Sequence, residues 1–77
     1  MNEMRNRLQF AICVENAGYA DDLKLRMVYQ VLPDEAAARS SYLRIVDETG
    51  EDYLYPASYF VMIEVPQEAE SALLHIP

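Results

Sequence analysis

Asp52-Tyr53-Leu54-Tyr55-Pro56-Ala57-Ser58-Tyr59-Phe60 is the stretch whose reading decides the fold. Proline has no N–H to give a ladder, so a strand entering this stretch stops at Pro56. Ala57-Ser58-Tyr59 is too short for an α-helix and fits one 3₁₀ turn. Val61-Met62-Ile63-Glu64-Val65 then reads as a last strand, closed by Pro66.

Working back, Tyr42-Leu43-Arg44-Ile45-Val46 is rich in β-branched and aromatic residues and predicts a strand. Asp47-Glu48-Thr49-Gly50-Glu51 separates it from the tyrosine-rich strand. A type I turn over Glu48 and Thr49, with Gly50 left-handed in a bulge, suits this spacing. A two-residue turn on Thr49-Gly50 is disfavoured, because threonine tolerates positive φ poorly. The resulting register sets Ile45 opposite Tyr53 and Leu43 opposite Tyr55, and the face carrying these four is expected to be core.

A strand followed by proline, a small residue, a polar residue, tyrosine and an apolar residue resembles the ending of Src-homology-3 domains, carried here by Pro56 to Phe60. Ala57 and Ser58 stand where that family usually has serine and asparagine. The resemblance implies a small five-stranded antiparallel barrel, with Pro56 and Tyr59 lining a groove for a protein partner. The loop after the first strand flanks the same groove in that family, which makes Tyr19 the expected neighbour of Tyr59. The family's tyrosine pair near the first strand is not evident, and its tryptophan has no counterpart, since the chain has none. Gly50 to Pro56 also resembles a group of small, uncharacterised bacterial proteins, a likeness that implies no activity.

Seventy-seven residues make one domain. The barrel is expected over about residues 8–65, with a polar, frayed arm at 1–7 and a tail at 66–77 that can form a short helix. In chain order, Leu8 to Val14 alternates as a first strand, with Phe10, Ile12 and Val14 on one face. Gly18 punctuates the loop that follows. Lys24 to Leu32 predicts a second strand with Leu25, Met27, Tyr29 and Val31 sharing a face. Pro33 ends it. Asp34 to Arg39 has strong helix formers with acids at its front and makes one or two turns. Near the C-terminus, Ala69, Ala72, Leu73 and Ile76 form a narrow apolar stripe. Leu43, Ile45, Tyr55, Phe60, Phe10, Ile12 and Val31 are the expected core.

Thirteen acidic and six basic residues give a formal net charge of −7. A polyphosphate backbone is repelled by such a chain, and Arg5, Arg7, Lys24 and Arg26 are too few for a binding stripe, so no nucleic acid is expected as partner. One cysteine excludes an internal disulfide and fits a reducing, cytoplasmic compartment. No apolar run reaches membrane-span length, and the N-terminus lacks a signal-peptide core.

The sharpest polar feature is the acidic tip: Asp47, Glu48, Glu51 and Asp52. Carboxylates this close are expected to raise one another's proton affinity. Paired-carboxylate hydrolysis or a weak Ca²⁺ site would use such a group. A solvated turn is the plainer reading, because the spacing is not that of a calcium loop. Cys13 lies mid-strand with no basic neighbour and reads as a small core residue. A Cys13–His75 catalytic pair would need the tail to fold across the barrel. No nucleophile elbow or phosphate-cradling glycine loop is present.

Six tyrosines exceed what a core of this size needs, and tyrosine is favoured at interfaces. The leading expectation is therefore a non-enzymatic interaction module that uses Tyr59, Tyr19 and Pro56, needs no cofactor or metal, and is steered to a basic partner by its acidic loops. Another reading is an antitoxin, immunity protein or nucleic-acid mimic, which requires Asp21, Asp22, Asp34, Glu35, Asp47 and Glu51 on one face. A third is a cation-binding or enzymatic role for the hairpin tip.

Overall fold

In the computed structural model, which describes residues 8–74, the hairpin takes the register its sequence predicts. Strand β3 (Tyr42–Val46) pairs antiparallel with β4 (Asp52–Pro56), setting Ile45 against Tyr53 and Leu43 against Tyr55. The Gly50 N–H donates to the Asp47 carbonyl at 2.9 Å, and Gly50 adopts φ +86°, the left-handed position of the bulge. Ala57–Tyr59 form the 3₁₀ turn after Pro56.

The remaining elements are β1 (Gln9–Cys13), β2 (Val28–Leu32), α1 (Glu35–Arg39), β5 (Phe60–Ile63) and α2 (Gln67–Leu73). All strand pairings are antiparallel, in the order β4-β3-β2-β1-β5. The strands that the 3₁₀ turn connects therefore lie at opposite edges of one sheet. A flat five-stranded sheet would put those edges about 19 Å apart at about 4.8 Å per strand, whereas the four steps from Pro56 to Phe60 reach at most about 14 Å. The sheet must curl, although no ladder joins β4 to β5 and it is not closed.

The concave side holds the core: Ala11, Cys13, Leu23, Tyr29, Val31, Ile45, Tyr55 and Phe60, with Leu43 and Tyr59 packed against it. Burial of Val31, Ile45, Tyr55, Phe60 and Cys13 matches expectation. The parity of β1 does not. Its core-facing residues are the small Ala11 and Cys13, while Phe10 and Ile12 point to the convex side and Val14 is half-exposed. Phe10 is nonetheless fully buried, flanked by Gln30 and Ile63 on that side. Helix α2 contacts β2, and its Leu73 shares a cleft with Val28 and Gln30. The concave interior is filled from other strands by three rings, Tyr29, Tyr55 and Phe60, which meet edge-on at 6.4–6.5 Å. Only small side chains fit beneath them on β1.

Strand β2 is shorter than expected. Arg26 adopts φ +67°, which breaks the extended run, so Leu25 and Met27 are exposed and do not continue the buried face of Tyr29 and Val31. Tyr53, expected to be core, is 51% exposed, because β4 is an edge strand and its far end overhangs the concave side. Helix α1 is capped by Asp34, whose Oδ1 accepts the Ala37 N–H at 2.9 Å while its Oδ2 accepts the Arg44 Nε–H at 2.8 Å. Arg44 also reaches Asp52 at 3.0 Å, tying helix, β3 and β4 together. The N-terminal arm, His75 and Ile76 lie outside the described residues, and with them the Cys13–His75 pair and the end of the apolar stripe.

Candidate functional site

Gly18, at φ +86°, turns the chain so that Tyr19 opens a tight loop; the Asp22 and Leu23 N–H groups both donate to the Tyr19 carbonyl at 2.9 Å. Leu23 is fully buried and anchors the loop, and Asn16 Nδ2 donates to the Leu23 carbonyl at 2.9 Å. The loop is therefore held at its base, and Tyr19 is presented on its rim, 38% exposed.

From the other side comes the 3₁₀ turn. Pro56, half-buried, ends β4 opposite Tyr42, and Tyr59 ends the turn. The Tyr59 hydroxyl donates to the Ala17 carbonyl at 2.9 Å, and the Val14 N–H donates to the Tyr59 carbonyl at 2.8 Å. The rings of Tyr19 and Tyr59 stand 6.1 Å apart, although forty residues separate them in the chain. Tyr19 also meets Tyr55 edge-on at 5.0 Å. Tyr59 is less free than the pattern predicts: it packs against the core and its hydroxyl is engaged, so Tyr19 is the more exposed ring of the pair.

The acidic tip is built differently from a solvated turn. Asp47 is 5% exposed. Its Oδ1 accepts the Thr49 N–H at 2.9 Å and the Thr49 hydroxyl at 2.6 Å, and its Oδ2 accepts the Tyr55 hydroxyl at 2.6 Å. Burial pushes this carboxyl up, but the Thr49 and Tyr55 donors outweigh it and hold Asp47 below the ordinary carboxylate value. The expected mutual raising of proton affinity is reversed here, because donors and not carboxylates surround the group.

Glu48 accepts the Tyr29 hydroxyl at 2.6 Å, and that hydroxyl in turn accepts the Lys24 N–H at 2.8 Å. Glu51 accepts the Tyr53 hydroxyl at 2.8 Å. Burial first, then the bonded carboxylate, pushes the hydroxyls of Tyr29 and Tyr55 well above the ordinary tyrosine value. Three of the six tyrosines thus moor the acidic turn to the sheet.

These contacts bear on the six carboxylates that a mimic would display. Asp47 faces inward, and Asp34 is engaged with Arg44 and the α1 N-terminus. Asp22 and Glu48 are brought together by a hydrogen bond from the Glu48 N–H to the Asp22 carbonyl, at 3.1 Å. Among the described residues, no three His, Cys, Asp or Glu side chains converge to hold a metal ion. Nor is any buried side-chain nitrogen or oxygen there left without a partner. No helix among them is long and apolar enough to cross a membrane.

The sequence singles out Tyr19, Tyr59 and Pro56, and the fold brings the two rings together. The tyrosine–carboxylate pairs escaped sequence reasoning. Tyr55–Asp47 had a local signal, a tyrosine reaching back along its own hairpin, whereas Tyr29–Glu48 spans nineteen residues and had none. Comparison with protein-family models, with curated proteins and with solved structures finds no match for this chain.

Proposed function

We propose that the chain is a non-enzymatic protein-interaction module, a small acidic Src-homology-3-like barrel, that binds a protein partner across Tyr19, Tyr59 and Pro56. The observation that carries this reading is the convergence of Tyr19 and Tyr59, from loop and 3₁₀ turn, at 6.1 Å. Paired aromatic rings held by a rigid base offer apolar contact area at little cost in conformational entropy. The curl of the sheet supports it: the turn that carries the chain from β4 to β5 in three residues also sets Tyr59 against the loop after β1. With a net charge of −7, the chain steers a basic partner towards itself.

The test is recovery of partners from lysate on the tagged chain at low and high salt, comparing wild type with Tyr19→Ala. A partner that is lost in high salt and lost with Tyr19→Ala is the expected result. Binding that ignores Tyr19→Ala, while the variant melts normally, moves the surface elsewhere. Recovery of nothing at either salt removes the basis for a module.

A further inference from the structure

The outer edge of β5 offers something the aromatic surface does not. In an antiparallel ladder, successive residues turn their N–H and C=O alternately towards and away from the neighbouring strand. The Val14 N–H donates to the Tyr59 carbonyl, which sets the phase: Val61 and Ile63 face β1, while Phe60 and Met62 face away. The Phe60 N–H is taken by the Ala57 carbonyl within the 3₁₀ turn. The Phe60 carbonyl, the Met62 N–H and the Met62 carbonyl remain, and among the described residues these three have no hydrogen-bond partner.

Exposed edges are usually blunted by a charge, a proline or a bulge. Phe60-Val61-Met62-Ile63 carries none of these, and Val61 and Met62 are about half-exposed. The opposite edge, β4, begins with Asp52, held by Arg44, and ends with Pro56. At the end of β5 lies an open cleft with Leu8, Met62, Ile63 and Val65 as its apolar part and Glu64 and Glu70 as its charges; among the described residues no cation lines it.

We propose that this edge receives an extended segment of a partner protein by strand addition, with apolar residues at alternate positions and a lysine or arginine where the segment passes Glu64 and Glu70. The main chain of the segment would meet the three free groups of Phe60 and Met62, and its cation would find the two carboxylates. Such recognition takes affinity from backbone hydrogen bonds and specificity from alternate side chains. A second copy of this chain is a poorer fit, because it brings the same net charge of −7. Met62 lies three residues beyond Tyr59, the ring that Tyr19 flanks, so substitutions at Met62 and at Tyr19 test the two surfaces apart.

The experiment has two arms, both on the full chain. In the first, hydrogen exchange of the Met62 amide is followed by NMR at low and high protein concentration. Rapid exchange at both is expected. Protection at low concentration would give the edge to a segment of this chain, protection that grows with concentration would give it to a second copy, and either overturns the proposal.

In the second arm, a displayed library of random peptides of about nine residues, enough to span one strand, is panned on the protein. Synthetic copies of the selected peptides are then titrated by NMR. Lysine or arginine enriched at one end and shifts centred on residues 60–64 are expected. Met62→Pro removes an edge-facing donor without breaking a ladder bond. It should weaken these peptides about tenfold, the worth of one or two hydrogen bonds, with Tyr19→Ala within about twofold of wild type. Met62→Lys, which leaves the backbone unaltered, places an ammonium beside the cleft and should also weaken basic peptides, so the test stands if the proline variant fails to fold. Selection of no peptide, shifts centred on Tyr19 and Tyr59, or indifference to both Met62 variants would overturn strand addition.

Discussion

Asp47→Ala is the substitution that most directly tests how this small domain is held together. The carboxylate is 5% exposed and takes three donors, two from Thr49 and one from Tyr55. Hydrogen bonds to a charged group are worth about 1.5–3 kcal/mol each, but they do not add simply. The Thr49 groups lie at a turn and recover water when the carboxylate goes. The Tyr55 hydroxyl does not, since that residue is only 3% exposed, and it is left with a desolvation cost of about 1–3 kcal/mol. A total loss of about 3 kcal/mol is expected, against a stability of about 4–12 kcal/mol for a chain of this length. In urea, with a slope of about 1 kcal/mol/M, the midpoint should fall by about 3 M. Tyr55→Phe alone should cost about 1–2 kcal/mol, and the double variant should cost less than the sum by a coupling of about 1–2 kcal/mol. The reasoning fails if the two substitutions add to within about 0.5 kcal/mol, because the Tyr55 hydroxyl would then not depend on Asp47. The linkage has a sign as well. Asp47 is lowered on folding, so its contribution is present above the unfolded value near 3.8 and disappears as pH falls through the folded value beneath it. Wild type should therefore lose stability below about pH 4 more steeply than Asp47→Asn.

Tyr29 and Tyr55 give the alkaline counterpart: both hydroxyls are raised above the ordinary value of 10, so their contribution is full below it and is lost as pH climbs past it. A urea midpoint that does not fall above about pH 10, or falls equally in Tyr29→Phe, would contradict this. Gly50→Val should cost about 1–3 kcal/mol by thermal melt through backbone strain alone, since the position has φ +86° and no heavy atom stands within 4 Å of an added Cβ. Ile45→Ala, at a fully buried position between Val31 and Tyr53, should cost about 2–5 kcal/mol; under about 0.5 kcal/mol would mean the core is not where Ile45 lies.

What the sequence made legible was local. Gly50, with its positive φ, and Pro56, which ends β4, set the β3–β4 register to the residue. What it concealed depended on partners distant in the chain. Phe10 and Ile12 look like a core face, and only the three rings supplied by β2, β4 and β5 explain why β1 turns two small residues inward. Nothing in Lys24-Leu25-Arg26-Met27 announces a left-handed arginine, because the alternation there is good and no glycine marks the break. The aromatic pairing of Tyr19 and Tyr59 came from family resemblance and was met by the geometry. The mooring of the acidic turn was hidden because a carboxylate among carboxylates reads as a surface feature until its tyrosine donors are placed.

The placement of β4 and β5 on opposite edges has a consequence for how the chain finds its fold. The hairpin can form from neighbours in sequence, but the β1–β5 seam must join strands some fifty residues apart, Phe10 opposite Ile63. Closing a loop of that length costs about 3.5 kcal/mol in chain entropy before any contact repays it. Non-local pairing of this kind places a domain among the slower folders, in the millisecond-to-second range. The expected transition state has the β3–β4 hairpin formed and the β1–β5 seam still open. Substitutions at Ile45 should then slow folding, whereas those at Ala11 or Phe60 should chiefly speed unfolding, which stopped-flow mixing in urea can distinguish. The reverse assignment would mean that the seam, and not the turn, nucleates the sheet.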